Sequence, residues 1–225
     1  MEISKYNPES QIYFLLKNIG QKKTQRFKGY STTQSMADES EGPGRNRNGL
    51  LEAIRKDLWP PVEPQVTQKE ANIRFRKIHW SLDGTNYTLY HVHGPQALNQ
   101  NEVSDFYRKL QKDIDTQPFG TILFLVGDFN AWMGDGRSNN ATPWLEKFMK
   151  ENSLRRIEPT FQDGVKATCK SIQNEPEGTS VIDHVLVSKA HKSEMTVKVQ
   201  VAFTDKNLSK HAQLRLNIVW RSHDA

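Results

Sequence analysis

The sequence has a single cysteine, no long apolar run and no apolar leader. Cys169 is the only cysteine among 225 residues, which excludes an intrachain disulfide and a zinc site built on several cysteines, and favours a reducing compartment. No apolar run approaches the ~20 residues that a membrane-spanning helix needs. The first ten residues, MEISKYNPES, are acidic and polar where a secretory leader is basic and then apolar. We therefore expect an intracellular protein, nuclear or cytoplasmic, with no membrane partner.

The composition is that of a folded protein with a modest positive charge. Hydrophobic residues make up 36% of the chain and five are tryptophan, so a chain of this length can bury a substantial core. We expect one domain over residues 1–225, with residues 1–48 diverged or shortened, acting as a monomer. A net charge of +5 suits a polyanionic partner such as nucleic acid, although many soluble proteins carry such a charge without one.

Residues 121–130, TILFLVGDFN, are the stretch around which the prediction is organised. The five apolar residues at 122–126 are typical of a fully buried strand, and Gly127 ends the run. Asp128 and Asn130 then lie at the carboxyl end of a central strand, where α/β folds bind ligands. The alternative is an Asx-type turn, in which these two side chains only satisfy loop amides.

Regular elements surround that strand. Residues 73–92 predict an antiparallel hairpin, and a helical stripe of apolar residues follows, with Asn101 as its cap. Thr142, followed by a proline, predicts the start of a second helix. Residues 31–47 lack periodicity and predict a long loop. With further strands near the C-terminus, the pattern favours a mixed α/β domain.

Four polar stretches begin or end predicted strands, and each suits phosphate chemistry. Phosphodiester hydrolysis needs a positioned water, a base and charge stabilisation. A histidine held by a carboxylate makes a good base, as Asp183 could hold His211. Asp128 and Asn130 offer oxygen ligands for a hard cation such as Mg²⁺. The stretches are HVHGP at 91–95, GDFN at 127–130, SVIDHV at 180–185 and SKH at 209–211.

In this order the motifs resemble the endonuclease/exonuclease/phosphatase superfamily, which has a DNase-I-like fold. Within it, the chain is most similar to the endonuclease domains of LINE-type retrotransposons. The resemblance covers roughly residues 49–220 and implies an α/β sandwich of two packed mixed sheets flanked by helices. The matching stretches are YHVHGP, GDFNA, Thr160-Phe161 followed by Ala167-Thr168, SVIDHVLVS and SKH.

The resemblance also implies roles for individual residues. Asp128 and Asn130 would contact the scissile phosphate and its metal or water. Asp183 would orient His211, and His93 would sit beside the phosphate as a second acid or donor. Asn7 is similar to the first-strand Asn that helps to form the metal site, so the implied ligands of Mg²⁺ or Mn²⁺ are Asn7, Asp128 and Asn130.

Two positions depart from the family pattern. Lys210 stands where the family's Ser-Asp-His motif has its acid, and Lys17 aligns with the principal metal-binding Glu. Lysines at a metal site would oppose cation binding. Three functions therefore stay open: a metal-dependent endonuclease acting on DNA, with RNA as the alternative substrate; a catalytically degenerate, retroelement-derived nucleic-acid-binding protein; and a phosphomonoesterase of the same superfamily.

Overall fold

In the residues that it describes, the computed structural model contains two six-stranded sheets, a small two-stranded ribbon and two helices. No helix in the part of the chain that it describes is long and apolar enough to cross a membrane. It describes residues 11–19, 30–34, 49–55, 65–66, 74–82, 84–96, 98–133, 136–162, 166–170, 179–189, 195–202 and 211–220.

The first sheet joins N-terminal and C-terminal strands. Its order is β2-β3-β1-β14-β13-β9, and β9 pairs in parallel with β13 while the other pairs are antiparallel. Its strands are β1 (Gln11–Ile19), β2 (Tyr30–Gln34), β3 (Gly49–Arg55), β9 (Thr160–Phe161), β13 (Met195–Ala202) and β14 (Gln213–Trp220).

The second sheet contains the predicted central strand. Its order is β4-β5-β6-β7-β12-β8, with β6 and β7 parallel and the other pairs antiparallel. Its strands are β4 (Gln65–Val66), β5 (Phe75–Leu82), β6 (Thr85–His93), β7 (Ile122–Asp128), β8 (Leu154–Arg156) and β12 (Asp183–Ser188). The ribbon pairs β10 (Cys169–Lys170) with β11 (Thr179–Ser180).

Two apolar cores hold these layers together. One lies between the sheets and joins residues of β5, β6, β7 and β12 to residues of β13 and β14, with Phe124 fully buried. The other lies on the opposite face of the second sheet, where α1 (Gln100–Ile114) and α2 (Thr142–Glu151) pack against it. The predicted stripe of α1 faces this core: Val103, Phe106, Tyr107, Leu110 and Ile114 are all buried. Two packed mixed sheets flanked by helices confirm the predicted architecture.

Several local predictions were wrong. Asn101 lies inside α1, and the cap is Asn99, whose extended backbone lets its side chain accept from the amides of Asn101 and Glu102. Thr142 is the first helical residue of α2 and the cap position is Ala141, while the Thr142 hydroxyl donates to Trp132 O at 2.9 Å. The predicted loop over residues 31–47 begins with β2, which pairs with β3.

Candidate active site

Three predicted site residues are placed in one row by strand register. The parallel pairing of β6 with β7 sets His93 opposite Asp128, and the antiparallel pairing of β12 with β7 sets Asp183 opposite the same residue. Residues directly opposite one another in a sheet project from the same face. His93, Asp128 and Asp183 therefore meet where these strands end, although the chain separates the outer two by 90 positions.

Glycine allows the strand ends to approach this closely. Gly127 has φ +136°, and a Cβ there would lie 2.1 Å from Val92 O, so no other residue fits without a backbone shift. Gly94 N donates to Asp128 O at 2.6 Å, which ties the end of β6 to the end of β7. This hydrogen bond holds the two strand ends together just beyond their parallel pairing.

One of the two carboxylate oxygens of Asp128 forms the Asx turn that was the alternative prediction for Asp128 and Asn130. Asp128 Oδ1 accepts from Asn130 N at 2.8 Å, and Asn130 has the left-handed φ of 49°. Asn130 Nδ2 donates to Gly94 O at 2.9 Å, which leaves its amide oxygen as an acceptor. Asn139 Nδ2 in turn donates to Asn130 O at 2.8 Å and secures the turn.

The other oxygen of Asp128 faces two imidazoles. Oδ2 lies 3.6 Å from His211 Nε2 and 3.7 Å from His93 Nε2. These distances are longer than a hydrogen bond, although Asp128 is only 2% exposed. One oxygen of this buried residue therefore lies within ion-pair distance of both imidazoles.

His211 lies just ahead of β14, where an isolated bridge pairs it with Cys169, and Asp183 orients it. His211 Nδ1 donates to both Asp183 oxygens, at 3.0 and 3.2 Å, which directs Nε2 toward Asp128. Thr168 connects the two segments, because its hydroxyl accepts from the amides of Ile182 and Asp183 and its carbonyl accepts from Ala212 N. Asp183 and His211 thus form the carboxylate–imidazole pair that the sequence predicted.

The cluster shifts the protonation of its members. Burial and the nearby Asp183 charge raise the pKa of Asp128 to about 7. Burial alone would lower the pKa of His211, but the Asp183 carboxylate outweighs it and raises that pKa to about 12. Burial, followed by the Arg74 charge, lowers the pKa of His93 to about 4. One imidazole of the pocket therefore carries a proton at neutral pH and the other does not.

Arg74 and Cys169 were missed by the sequence analysis. Arg74 O accepts from His93 N at 2.7 Å, and its guanidinium contacts Gly94 O at 3.5 Å and Glu102 at 3.4 Å. Cys169 Sγ lies 3.9 Å from His211 Nε2. No motif marked Arg74, whereas Cys169 directly follows the Ala-Thr pair that the family resemblance includes, so its position was a usable signal.

Other predicted residues lie elsewhere. His184, which follows Asp183, is buried and donates from Nε2 to Ala131 O at 2.8 Å. Asn7 and Lys210 fall outside the described residues, and Lys17 is placed only as a backbone position in β1, opposite Leu51 of β3.

The donors of the pocket fit a divalent cation. Ligand atoms of Asp128, Asp183 and His211 all lie within 4.8 Å of one another. Paired carboxylate oxygens suit a hard ion such as Mg²⁺ or Mn²⁺, which takes few protein ligands and keeps several waters. The Oδ2 of Asp128 fits such an ion because it belongs to a carboxylate that is 2% exposed and lies 3.6 and 3.7 Å from the two imidazole nitrogens, beyond hydrogen-bond range.

Solved structures share this architecture. The endonuclease domain of TRAS1, a telomere-specific non-LTR retrotransposon, matches with a TM-score of 0.56 and 17% identity over 85% of this chain and 81% of that chain. A family protein from Leptotrichia buccalis, described as endonuclease/exonuclease/phosphatase, matches with 0.56 and 18% over 84% and 71%. A Staphylococcus aureus beta toxin mutant with bound magnesium ions matches with 0.50 and 14% over 75% and 67%.

These likenesses establish the fold. The chain has the DNase-I-like α/β sandwich fold, as its motifs predicted. No family model matches the sequence, and no curated protein matches it at a significant level.

Proposed function

We propose that the protein is a metal-dependent phosphodiester hydrolase, an endonuclease acting on DNA. The observation that carries this proposal is the convergence of Asp128 of β7, Asp183 of β12 and His211, just ahead of β14, in one cluster. The fold supports it, since the TRAS1 domain is an endonuclease of the same architecture. The net charge of +5 favours a polyanionic substrate.

In this mechanism His211 Nε2 takes the proton of the attacking water. Asp183 fixes the tautomer by accepting from Nδ1 and stabilises the imidazolium that forms. Asp128 and Asn130 position the phosphate and the water. His93, the neutral imidazole near Asp128, supplies a hydrogen bond to a phosphate oxygen or to the leaving oxygen.

Charge balance makes this chemistry depend on a cation. The Asp183 carboxylate raises the pKa of His211, which opposes its action as a base at neutral pH. Mg²⁺ or Mn²⁺, held by Asp128 with the predicted ligands Asn130 and Asn7, would supply positive charge that lowers the pKa of His211 and stabilises the developing phosphorane. Without added positive charge, the same residues bind phosphate poorly and activate no water.

A second candidate function is a nucleic-acid-binding protein that has lost catalysis. It is favoured by Lys210, which adjoins His211 in the sequence where the family's motif has an acid. A lysine there would oppose cation binding while favouring phosphate. The two candidates share a partner and differ in whether the strand is cut.

Nicking of supercoiled plasmid tests the proposal. His211→Gln removes the base, and His79→Gln is the matched control, because His79 lies in β5 and bonds to Thr88 of the hairpin. We expect Mg²⁺-dependent nicking by the wild type and by the control. We expect a loss of about 10²–10⁴-fold in His211→Gln, the range that acid–base catalysis contributes.

Other outcomes would contradict the proposal and select an alternative. Nicking that survives EDTA or His211→Gln would overturn the mechanism. DNA binding that weakens with salt, without any cleavage, would select the binding protein. Release of phosphate from p-nitrophenyl phosphate without nicking would select a phosphomonoesterase.

A further inference from the structure

The starting observation is a tryptophan beside the candidate active site. Trp132 follows Asn130 by two residues, so the Cα atoms of the two lie within about 7.6 Å of each other. Its neighbour Met133 packs against the core under the helices, whereas Trp132 is half-buried and belongs to neither apolar core of the described residues. Tryptophan is enriched among the residues that dominate binding energy at interfaces. A ring in this position is therefore placed to contact what the pocket binds.

The second observation is a cation stacked on this ring. Arg137 Cζ lies 4.4 Å from the centroid of the Trp132 ring, within the range of a cation–π interaction, and Arg137 is exposed. Stacking involves the flat face of a guanidinium, and its N–H donors lie in the plane of that face. Such a fork binds a phosphate through two parallel hydrogen bonds. The pair thus combines a flat surface for stacking with an edge suited to phosphate.

The third observation is the bracing of the loop that carries the pair. Asn139 Nδ2 donates to Asn130 O at 2.8 Å, and Thr142 Oγ1 donates to Trp132 O at 2.9 Å. Asn139 N donates in turn to Thr142 Oγ1 at 3.0 Å. Trp132 and Arg137 each lie two residues from one partner of the Asn130–Asn139 hydrogen bond. The pair is therefore held next to Asn130, which the proposed mechanism places on the phosphate.

The chemistry that matches this surface is a nucleotide with an unpaired base. Phosphate oxygens accept from a guanidinium, and a base stacks on an aromatic ring or on a guanidinium plane. In a closed duplex neighbouring bases cover these faces, so a single strand or a locally opened strand offers both groups at once. A guanidinium that is already stacked also loses less side-chain freedom when it binds.

We propose that Trp132 and Arg137 form a binding site for an unpaired nucleotide next to the bond that is cut. Arg137 contacts the phosphate of this nucleotide, and its base stacks on the two side chains. The site therefore favours single-stranded or locally opened substrate over closed duplex. This inference rests on the proposed function, because it takes the nucleotide to belong to the substrate strand, but its binding test needs no cleavage.

Binding of a fluorescein-labelled oligo-dT strand, followed by anisotropy in EDTA, tests the stacking contact. We expect Trp132→Leu to weaken binding by about 5–150-fold, the range produced by loss of one base–aromatic stack. Trp132→Phe keeps an aromatic ring and should retain most of the affinity. Affinity for a closed duplex of the same length should change less in Trp132→Leu, so the preference for the single strand should fall.

Arg137→Gln tests the phosphate contact, and Arg108→Gln is its matched control. Both variants lose one exposed arginine and the same charge, but Arg108 lies on α1 and pairs with Asp105. We expect Arg137→Gln to reduce the slope of log affinity against log salt concentration by about 0.7, the value for one phosphate contact on a single strand. We expect Arg108→Gln to leave the slope unchanged.

Four results would overturn the inference. The first is no binding of oligo-dT by the wild type, and the second is unchanged affinity in Trp132→Leu. The third is an equal salt slope in the two arginine variants, which would reduce the role of Arg137 to net charge. The fourth is an equal loss of affinity in Trp132→Leu and Trp132→Phe, which would place the effect in the packing of the loop. Circular dichroism of each variant separates loss of a contact from loss of the fold.

A cleavage assay separates failure of this inference from failure of the proposed function. If the wild type cuts DNA and Trp132→Leu prefers the single strand over the duplex as strongly as the wild type does, the inference fails alone. If no strand is cut with Mg²⁺ or Mn²⁺, the proposed function fails, and the anisotropy titrations still decide whether Trp132 and Arg137 bind an unpaired nucleotide.

Discussion

The middle and the end of β7 are buried to the same extent, but the middle buries apolar side chains and the end buries a carboxylate. Phe124 and Leu125, in the middle, are 0% exposed, and Asp128, at the end, is 2% exposed. Apolar burial contributes roughly 25 cal/mol per Å² removed from water. Burial of a carboxylate next to a second one, Asp183, opposes folding. The same strand therefore stabilises the protein along its middle and costs stability at its end.

This difference shows how the pocket is maintained. Apolar burial in the sheets and helices stabilises the protein. The two carboxylates held close together at the strand ends lower that stability. Gly127 marks the boundary, since the backbone approach that it permits brings Asp128 beside His93. Substitutions in the two regions should accordingly change stability in opposite directions.

The largest effect on stability is expected in the apolar region. Phe124→Ala removes a fully buried ring that stacks with Trp80, at a centroid distance of 5.9 Å, in the core between the sheets. We expect a loss of about 3–5 kcal/mol in the free energy of unfolding, measured by urea denaturation. Nicking per folded molecule should change little. A cost under 1 kcal/mol would show that the inter-sheet core is not the main source of stability.

The matched change in the pocket is Asp128→Asn. Because the pKa of Asp128 is raised in the folded state, its contribution to stability is present below pH 4 and is lost as pH rises through about 7. The neutral amide avoids this loss, so at pH 8 the variant should be more stable than the wild type by about 1–3 kcal/mol while nicking is abolished.

At pH 4 the stability gain of Asp128→Asn should disappear. Asp105→Asn on the exposed face of α1 is the control, with an expected change within about 0.5 kcal/mol at both pH values. A variant less stable than the wild type at pH 8 would mean that the Asp128 charge is compensated in the folded protein, which removes the contrast between the two regions.

The apolar region was largely predictable from sequence, and the pocket was predictable in part. Alternation and apolar runs identified the strands, and the GDFN and SVIDHV stretches identified Asp128 and Asp183 as residues at strand ends. The cap at Asn99 was missed because Asn99 and Asn101 are the same residue type near the start of α1, and only the backbone angles distinguish the cap from a helical residue. The contact of Cys169 with His211, 42 residues apart, depends on how the β10–β11 ribbon meets the segment ahead of β14, which the motifs alone do not specify.

The smallest effect concerns His184, a buried polar residue next to both regions. It is buried and donates to Ala131 O beyond the turn at Asn130, and burial lowers its pKa to about 4. A lowered histidine pKa means that the unfolded chain binds more protons between pH 6.5 and 4, so stability is full above 6.5 and is lost as pH falls through this window.

His184→Gln keeps a side-chain amide that can donate to Ala131 O and removes the titration. Between pH 6.5 and 5 the wild type should lose about 1–2 kcal/mol more than the variant, measured by urea denaturation at each pH. His93 has its pKa lowered in the same way, so His93→Gln should flatten the pH profile similarly and should reduce nicking as well. If stability falls with pH as steeply in His184→Gln as in the wild type, His184 contributes nothing to the acid sensitivity. That sensitivity would then lie in the pocket alone.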